Sequence, residues 1–149
     1  MRNPLVLSGL VLAGANRPAA EIEATTHDDL GILTAEAIAG LPLQDLELVV
    51  LSACETGLGT VAGGEGVFGL QRAFHLAGAH TVIASLWKVD DAATRKLMKL
   101  FYSNLWERGT PAAEALRQAQ LTVLSEAVGS GDHPYYWAGW VLSGDPGIR

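Results

Sequence analysis

Residues 46–77, LELVVLSACETGLGTVAGGEGVFGLQRAFHLA, contain the segment that decides the fold. The run 48–51 has the length and branched aliphatic content of a buried strand, and Cys54, the single cysteine, follows closely. A glycine-rich segment begins at Gly57. Apolar residues then recur at helical spacing until Ala77, and Gly78 is suited to end that helix as a C-cap. This succession predicts an α/β protein with a reactive or ligand-binding site at the carboxyl end of the strand.

The composition is that of one globular domain. The chain has 149 residues, of which 49% are hydrophobic and 17% charged, which is enough apolar material for a sizeable core. The net charge is −6 and the basic residues are scattered, which argues against nucleic acid or an anionic membrane as partner. One cysteine rules out an internal disulfide and favours a reducing compartment, so we expect a cytoplasmic location without a thiolate metal site.

The N-terminal segment has to be distinguished from a signal peptide. Its apolar stretch, residues 4–12, follows Arg2 and precedes small residues, but Ser8 and Gly9 interrupt it. We therefore expect one or two short strands within residues 4–14. No run approaches the roughly 20 apolar residues that a membrane-spanning helix requires.

Local signals divide the rest of the chain into short elements. Thr34 is suited to cap a brief helix that ends at Gly40, and Asp90 is suited to cap a longer helix that ends at Gly109. Thr110 as N-cap and Pro111 as the first helical residue stand in the order favoured at the start of a further helix. The predicted extended segments after the N-terminal region are 31–33, 46–52, 80–86 and 135–143.

The strands 46–52 and 80–86 are expected to be parallel, because one helix connects them. Their carboxyl ends then lie at the same edge of the sheet. That edge carries Cys54, the glycine-rich loop from Gly57, and the pair Asp90 and Asp91. We expect these residues to form the mouth of one site.

Cys54 has two interpretations. A free cysteine is most often a small buried hydrophobic residue, but a thiol at a strand's carboxyl end beside free backbone N–H groups can act as a nucleophile. The glycines that follow would let a substrate chain approach the backbone closely. A nucleophilic cysteine needs a base, normally histidine. The chain offers four histidines, and none stands in a pattern that completes a dyad: His27, His75, His80 and His133.

Two further patterns bear on the site. Residues 57–62 match the dinucleotide fingerprint G-x-G-x-x-A, but the glycines begin too far from the strand, so a nucleotide-binding domain is the weaker interpretation. Asp90 and Asp91 are most simply a helix cap and its neighbour, and alternatively the acidic end of a pocket for a basic side chain.

Four stretches resemble the C-terminal part of a CHAT domain: LVVLSACETGLG, GEGVFGLQRAFHLAGAHTVIASLWKVDD, FYSNLWERGTPAAEALRQAQ and HPYYWAGWVLSGD. CHAT domains belong to the caspase-like cysteine peptidase clan, with separases and gingipains, and often follow tetratricopeptide repeats. The resemblance implies a three-layer sandwich with a mostly parallel sheet and flanking helices. It also implies that Cys54 is the nucleophile of a thiol protease, and that the acidic pair, foremost Asp90, lines the primary specificity pocket. No metal or organic cofactor is implied.

The chain also departs from the family pattern at the catalytic base. In this family the base is a histidine followed by glycine, at the end of a strand that precedes the part matched here, and the chain contains no His-Gly pair. We therefore expect a single CHAT domain over residues 1–149 that lacks its first strands and its catalytic histidine and is inactive alone. A missing strand would leave an exposed sheet edge, through which self-association is expected.

Two functions follow from these observations. The first is the catalytic-cysteine portion of a caspase-like cysteine endopeptidase that cleaves a protein partner. The second is a non-catalytic interaction or signalling module of the CHAT type, with Cys54 as a structural residue and a tetratricopeptide-repeat segment as partner.

Overall fold

The structure, a computed structural model, describes residues 5, 8–13, 15–16, 31–52, 65–126 and 133–148. Cys54, Gly57 and His27 lie outside these residues. Within them the strands are β1 (Gly9–Val11), β2 (Ile32–Thr34), β3 (Leu48–Leu51), β4 (Thr81–Ser85) and β5 (Trp140–Gly144). The α-helices are α1 (Ala35–Ala39), α2 (Glu65–Ala77), α3 (Asp91–Tyr102) and α4 (Ala112–Ser125), with a π-helical turn over Ser103–Glu107 and a 3-10 turn over Pro134–Tyr136.

The central sheet has the strand order β3-β4-β5. β3 and β4 are parallel, with Leu48 opposite Thr81 and Leu51 opposite Ala84, whereas β5 runs antiparallel to β4. β1 and β2 form a separate antiparallel pair. The predicted α/β class is confirmed, but the described strands are not mostly parallel. Two helices, α3 and α4, separate β4 from β5, so the chain returns to the carboxyl end of β4 before β5 begins.

Helices cover both faces of this sheet. The pleat sends Val82 and Ala84 of β4 to one face, where they pack with α1 and α2, and sends Ile83 to the other face, against α3 and α4. Ile38, Leu70, Leu97 and Phe101 are fully buried within these two cores. The described part therefore has three layers, and the full sandwich of caspase-like peptidases stays a prediction.

The predicted helix ends are largely confirmed. The Thr34 hydroxyl accepts a hydrogen bond from the Ala37 N–H at the start of α1, and Gly40 is its C-cap. Gly78 follows α2 with φ +108°, and the Ala79 N–H donates to the Phe74 carbonyl at 3.0 Å. This is the bond that characterises a glycine-terminated helix, in which the left-handed conformation satisfies free carbonyl groups.

The start of α4 differs from the prediction. The helix begins at Ala112, Pro111 is its N-cap, and no side-chain hydrogen bond from Pro111 caps it. Instead the C-terminal segment approaches this helix end. The Ala112 N–H donates to the Ile148 carbonyl at 2.9 Å, and the Ala113 N–H donates to the Pro146 carbonyl at 3.2 Å. Distant backbone carbonyls thus replace the predicted threonine cap.

The described strands leave β3 and β5 at the two edges of the central sheet. Gln120 of α4 covers part of the β5 edge, because its side-chain amide donates to the carbonyl groups of Trp137 and Trp140. No other described strand pairs with β3 on its outer side. The expected self-association would need such an unpaired strand edge, and it stays a prediction. Among the helices of the described ranges, none combines the length and hydrophobicity needed to cross a bilayer.

Candidate functional site at the carboxyl edge of the sheet

The parallel register of β3 and β4 brings the segments after both strands to one edge. Leu51 pairs with Ala84, so Ser52 and Leu86 leave the sheet on the same side. Ser52 is exposed there. Cys54 and Gly57 are outside the described residues, and their roles stay predictions from the sequence.

Asp90 occupies the N-cap position of α3, as the sequence predicted. Its Oδ1 accepts hydrogen bonds from the N–H groups of Ala92 and Ala93, each at 3.0 Å. These bonds satisfy two backbone donors that have no partner within the helix. Asp91 is the first residue of the helix and its carboxyl group takes no part in this cap. The two aspartates therefore differ in how far their carboxylate oxygens are engaged.

An open cleft of about 270 Å³ lies beside this cap. One wall is the segment after β4, and the other is the 3-10 turn that precedes β5. The lining residues are Lys88, Val89, Asp90, Asp91, Tyr135 and Tyr136. The two tyrosine rings are nearly perpendicular, with centroids 5.2 Å apart. The cleft combines two carboxylates, one ammonium group and two aromatic rings, a set suited to a cationic side chain with an apolar stem.

Sequence reasoning missed the tyrosine wall, because it assigned residues 135–143 to a strand. In the structure β5 begins only at Trp140, and Tyr135 and Tyr136 belong to the 3-10 turn. The residues that indicate a helical turn at this position are His133 and Pro134. The histidine Nδ1 accepts a hydrogen bond from the Tyr135 N–H at 3.2 Å, and the proline occupies the first helical position, where it is favoured.

Three contacts hold the two walls together. The Trp87 indole N–H donates to the Tyr135 carbonyl at 3.0 Å, and the Leu86 N–H donates to the Gly139 carbonyl at 2.7 Å. Gly139 also packs directly on the wall after β4: a Cβ atom added there would lie 2.7 Å from Val89 Cγ2 and 3.0 Å from Trp87 Cε2. Only glycine fits at this crossing.

Three of the four histidines are described, and none of them is among the residues that line the cleft. His75 Nδ1 lies 3.0 Å from the Ala79 carbonyl oxygen and Nε2 lies 2.9 Å from Ser143 Oγ, so both nitrogens are engaged near the amino edge of the sheet. His80 precedes β4 at that same edge. His133 precedes the 3-10 turn as its N-cap, and its Nδ1 accepts the hydrogen bond from the Tyr135 N–H.

The described ranges contain no group of three or more His, Cys, Asp or Glu side chains arranged to hold a metal ion. One tyrosine outside the cleft, Tyr102 on α3, has a perturbed acidity. Its burial raises the pKa of the phenol above the usual 10.0, because desolvation disfavours the charged form.

Comparison with known proteins agrees with the sequence resemblance. The CHAT domain family matches residues 2–145. Tetratricopeptide repeat protein 28 of Homo sapiens is 40% identical over 113 residues, which is 76% of this chain and 4% of that protein. The protein of the same name from Mus musculus is 39% identical over 113 residues, with the same coverage. The chain thus spans about 4% of the length of these relatives, and by its match over almost its whole length it belongs to the CHAT domain family.

Proposed function

We propose that this chain is the catalytic-cysteine portion of a caspase-like cysteine endopeptidase. The observation that carries the proposal is the parallel register of β3 and β4, which puts the segment leading to Cys54 and the acidic cleft at one sheet edge. A peptide bound in an extended conformation could then insert a side chain in the cleft while its next carbonyl group meets the thiol. We further propose that residues 1–149 act as a single domain and that the protein is cytoplasmic.

Cys54 would act as the nucleophile. Its sulfur attacks the scissile carbonyl carbon, a histidine takes the thiol proton and returns it to the leaving amine, and water then hydrolyses the thioester. Backbone N–H groups after the strand, including that of Cys54, would stabilise the oxyanion, and Gly57 would allow the substrate to approach. None of the described histidines lines the cleft, and the base in this proposal is the histidine that the family resemblance implies.

The cleft would hold a basic side chain of the substrate. Two aspartates and one lysine line it, so the net charge of the lining residues favours a cation. Because Asp90 uses Oδ1 to cap α3, Asp91 is the carboxylate with the greater freedom to meet a substrate cation. We assign the leading role in cation binding to Asp91 and a lining role to Asp90.

The test uses a longer chain that includes the expected histidine strand, together with the 149-residue chain. Fluorogenic peptides with arginine before the scissile bond are compared with citrulline analogues, which have the same shape without the charge. We expect cleavage of the arginine peptide by the longer chain only, complete loss with Cys54→Ala, and a rise of at least tenfold in KM with Asp91→Asn. Cleavage that survives Cys54→Ala would refute the proposal.

Thiol reactivity provides an independent measurement. The rate of Cys54 alkylation by iodoacetamide is followed from pH 5 to 9 in both chains. A fast reaction with a depressed thiol pKa, restricted to the longer chain, would support a peptidase whose base lies upstream. A slow reaction in both chains would contradict it.

A non-catalytic CHAT-type interaction or signalling module is the second candidate. It is favoured by the positions of the described histidines. His75 and His80 lie at the amino edge of the sheet, His133 uses Nδ1 to cap the 3-10 turn, and none of the three lines the cleft. The partner would be a tetratricopeptide-repeat segment, as the name of the matched relatives suggests, or a second copy paired along β3. This function predicts partner binding that is unchanged by Cys54→Ser.

A further inference from the structure

The cleft depends on a contact between two segments that are distant in the sequence. Lys88 to Asp91 follow β4, whereas Tyr135 and Tyr136 precede β5. Trp87 lies at the first segment, directly before the lining residues, and its indole N–H reaches the backbone carbonyl of Tyr135 in the second. The Trp87 ring does not line the cleft. Its hydrogen bond therefore acts on the position of the tyrosine wall.

We infer that Trp87 is a positioning residue for ligand binding in this cleft: its indole hydrogen bond to Tyr135 holds the tyrosine wall at the distance from Asp91 that a cationic side chain requires. The inference rests on the proposed function, because it assumes that the cleft binds such a side chain.

The geometry around Gly139 explains why the indole hydrogen bond fixes this distance. The backbone of Gly139 packs closely against the side chains of Trp87 and Val89, and this contact restricts movement of the Trp87 ring on one side. The Leu86 N–H bond to the Gly139 carbonyl holds the base of the turn. The tyrosines lie four and three residues before Gly139, at the exposed end of the turn. There the Trp87 bond joins the backbone of Tyr135 to the opposite wall.

The test compares Trp87→Phe with Trp106→Phe in the 149-residue chain. Phenylalanine at position 87 keeps an aromatic ring against Gly139 but removes the N–H donor. Trp106 is the matched control, because it is 68% exposed, stacks on Tyr102 and lies outside the cleft. The probe is Nα-acetyl-L-arginine amide, titrated by NMR, with the citrulline analogue as the uncharged reference. The titrations with these two probes do not require peptidase activity.

We expect Trp87→Phe to weaken probe binding about fivefold, the size expected from one net hydrogen bond, and Trp106→Phe to leave it unchanged. A second measurement follows hydrogen exchange of the Trp87 indole N–H in the unmodified chain. If this bond is coupled to binding, the probe must slow its exchange, whereas a merely structural bond would exchange at the same rate with and without probe. This measurement stays decisive if Trp87→Phe fails to fold.

The outcomes separate the two proposals. Probe binding that is abolished by Asp91→Asn but unaffected by Trp87→Phe, with unchanged indole exchange, overturns the role of Trp87 and leaves the cleft's cation specificity intact. Equal weakening by Trp87→Phe and Trp106→Phe also overturns it. If the unmodified chain does not distinguish the arginine probe from its citrulline analogue, the cation site itself is refuted, and the role of Trp87 falls with it. Cleavage assays on the longer chain test Cys54 separately.

Discussion

Replacing Asp90 with alanine tests whether this residue is first of all a helix cap. The substitution removes Oδ1, which accepts hydrogen bonds from the N–H groups of Ala92 and Ala93 at 3.0 Å. Loss of an N-cap acceptor destabilises a protein by about 1 kcal/mol. For a chain of 149 residues this corresponds to a fall of about 3 °C in melting temperature.

Asparagine at position 90 separates the cap from the charge. It retains a side-chain oxygen in the capping position and caps helices as well as aspartate does, but it carries no charge. Asp91→Asn is the matched variant, since it removes one carboxylate charge from the same helix end without touching the cap.

We expect Asp90→Asn and Asp91→Asn to melt within about 1 °C of each other, and Asp90→Ala to melt about 3 °C below Asp90→Asn. The assay is thermal unfolding followed by circular dichroism at pH 7. Equal melting temperatures for Asp90→Ala and Asp90→Asn would refute the capping role, and with it the argument that Asp91 is the freer carboxylate.

Three other outcomes follow from the structure. Gly144→Ala should lower the free energy of unfolding in urea by more than about 2 kcal/mol, because φ is +97° and the added Cβ would collide with the His80 carbonyl. In the control Gly109→Ala, φ is +64° and the surrounding space is open, so the free energy of unfolding should fall by only about 1 kcal/mol. Equal losses in the two variants would contradict the collision. Phe101→Ala should destabilise by about 3–5 kcal/mol because Phe101 is fully buried, whereas a comparable loss in the exposed Trp106→Ala variant would show that burial is not the cause. Burial raises the pKa of Tyr102, so the contribution of this residue to stability is full below pH 10.0 and is lost as pH rises through the higher folded-state pKa. Tyr102→Phe should therefore reduce the loss of stability measured by unfolding from about pH 9 to about pH 12. An unchanged pH profile would assign that loss to other groups.

Local sequence signals predicted the elements that depend on near neighbours. Thr34 and Asp90 cap the helices that follow them, and Gly78 ends α2, because each of these bonds joins groups only two to five residues apart. The buried runs of β3 and β4 and their parallel pairing also followed from the sequence, since one helix between two strands leaves little choice of direction.

The errors occurred where the partner is distant in the sequence. Thr110 does not cap α4, because carbonyl groups of Pro146 and Ile148 reach its first N–H groups. The resemblance implied a mostly parallel sheet, but β5 is antiparallel to β4, because two helices rather than one connect these strands.

The sequence by itself determined the family, the α/β class and the identity of the thiol proposed as nucleophile, because these are carried by residue types at short, fixed spacings. Only the tertiary structure decided that Tyr135 and Tyr136 line the same cleft as Asp91, and that Trp87 connects its walls. Those residues lie more than 40 positions apart, and the packing of α3 and α4 against the sheet, not any local preference, brings them together.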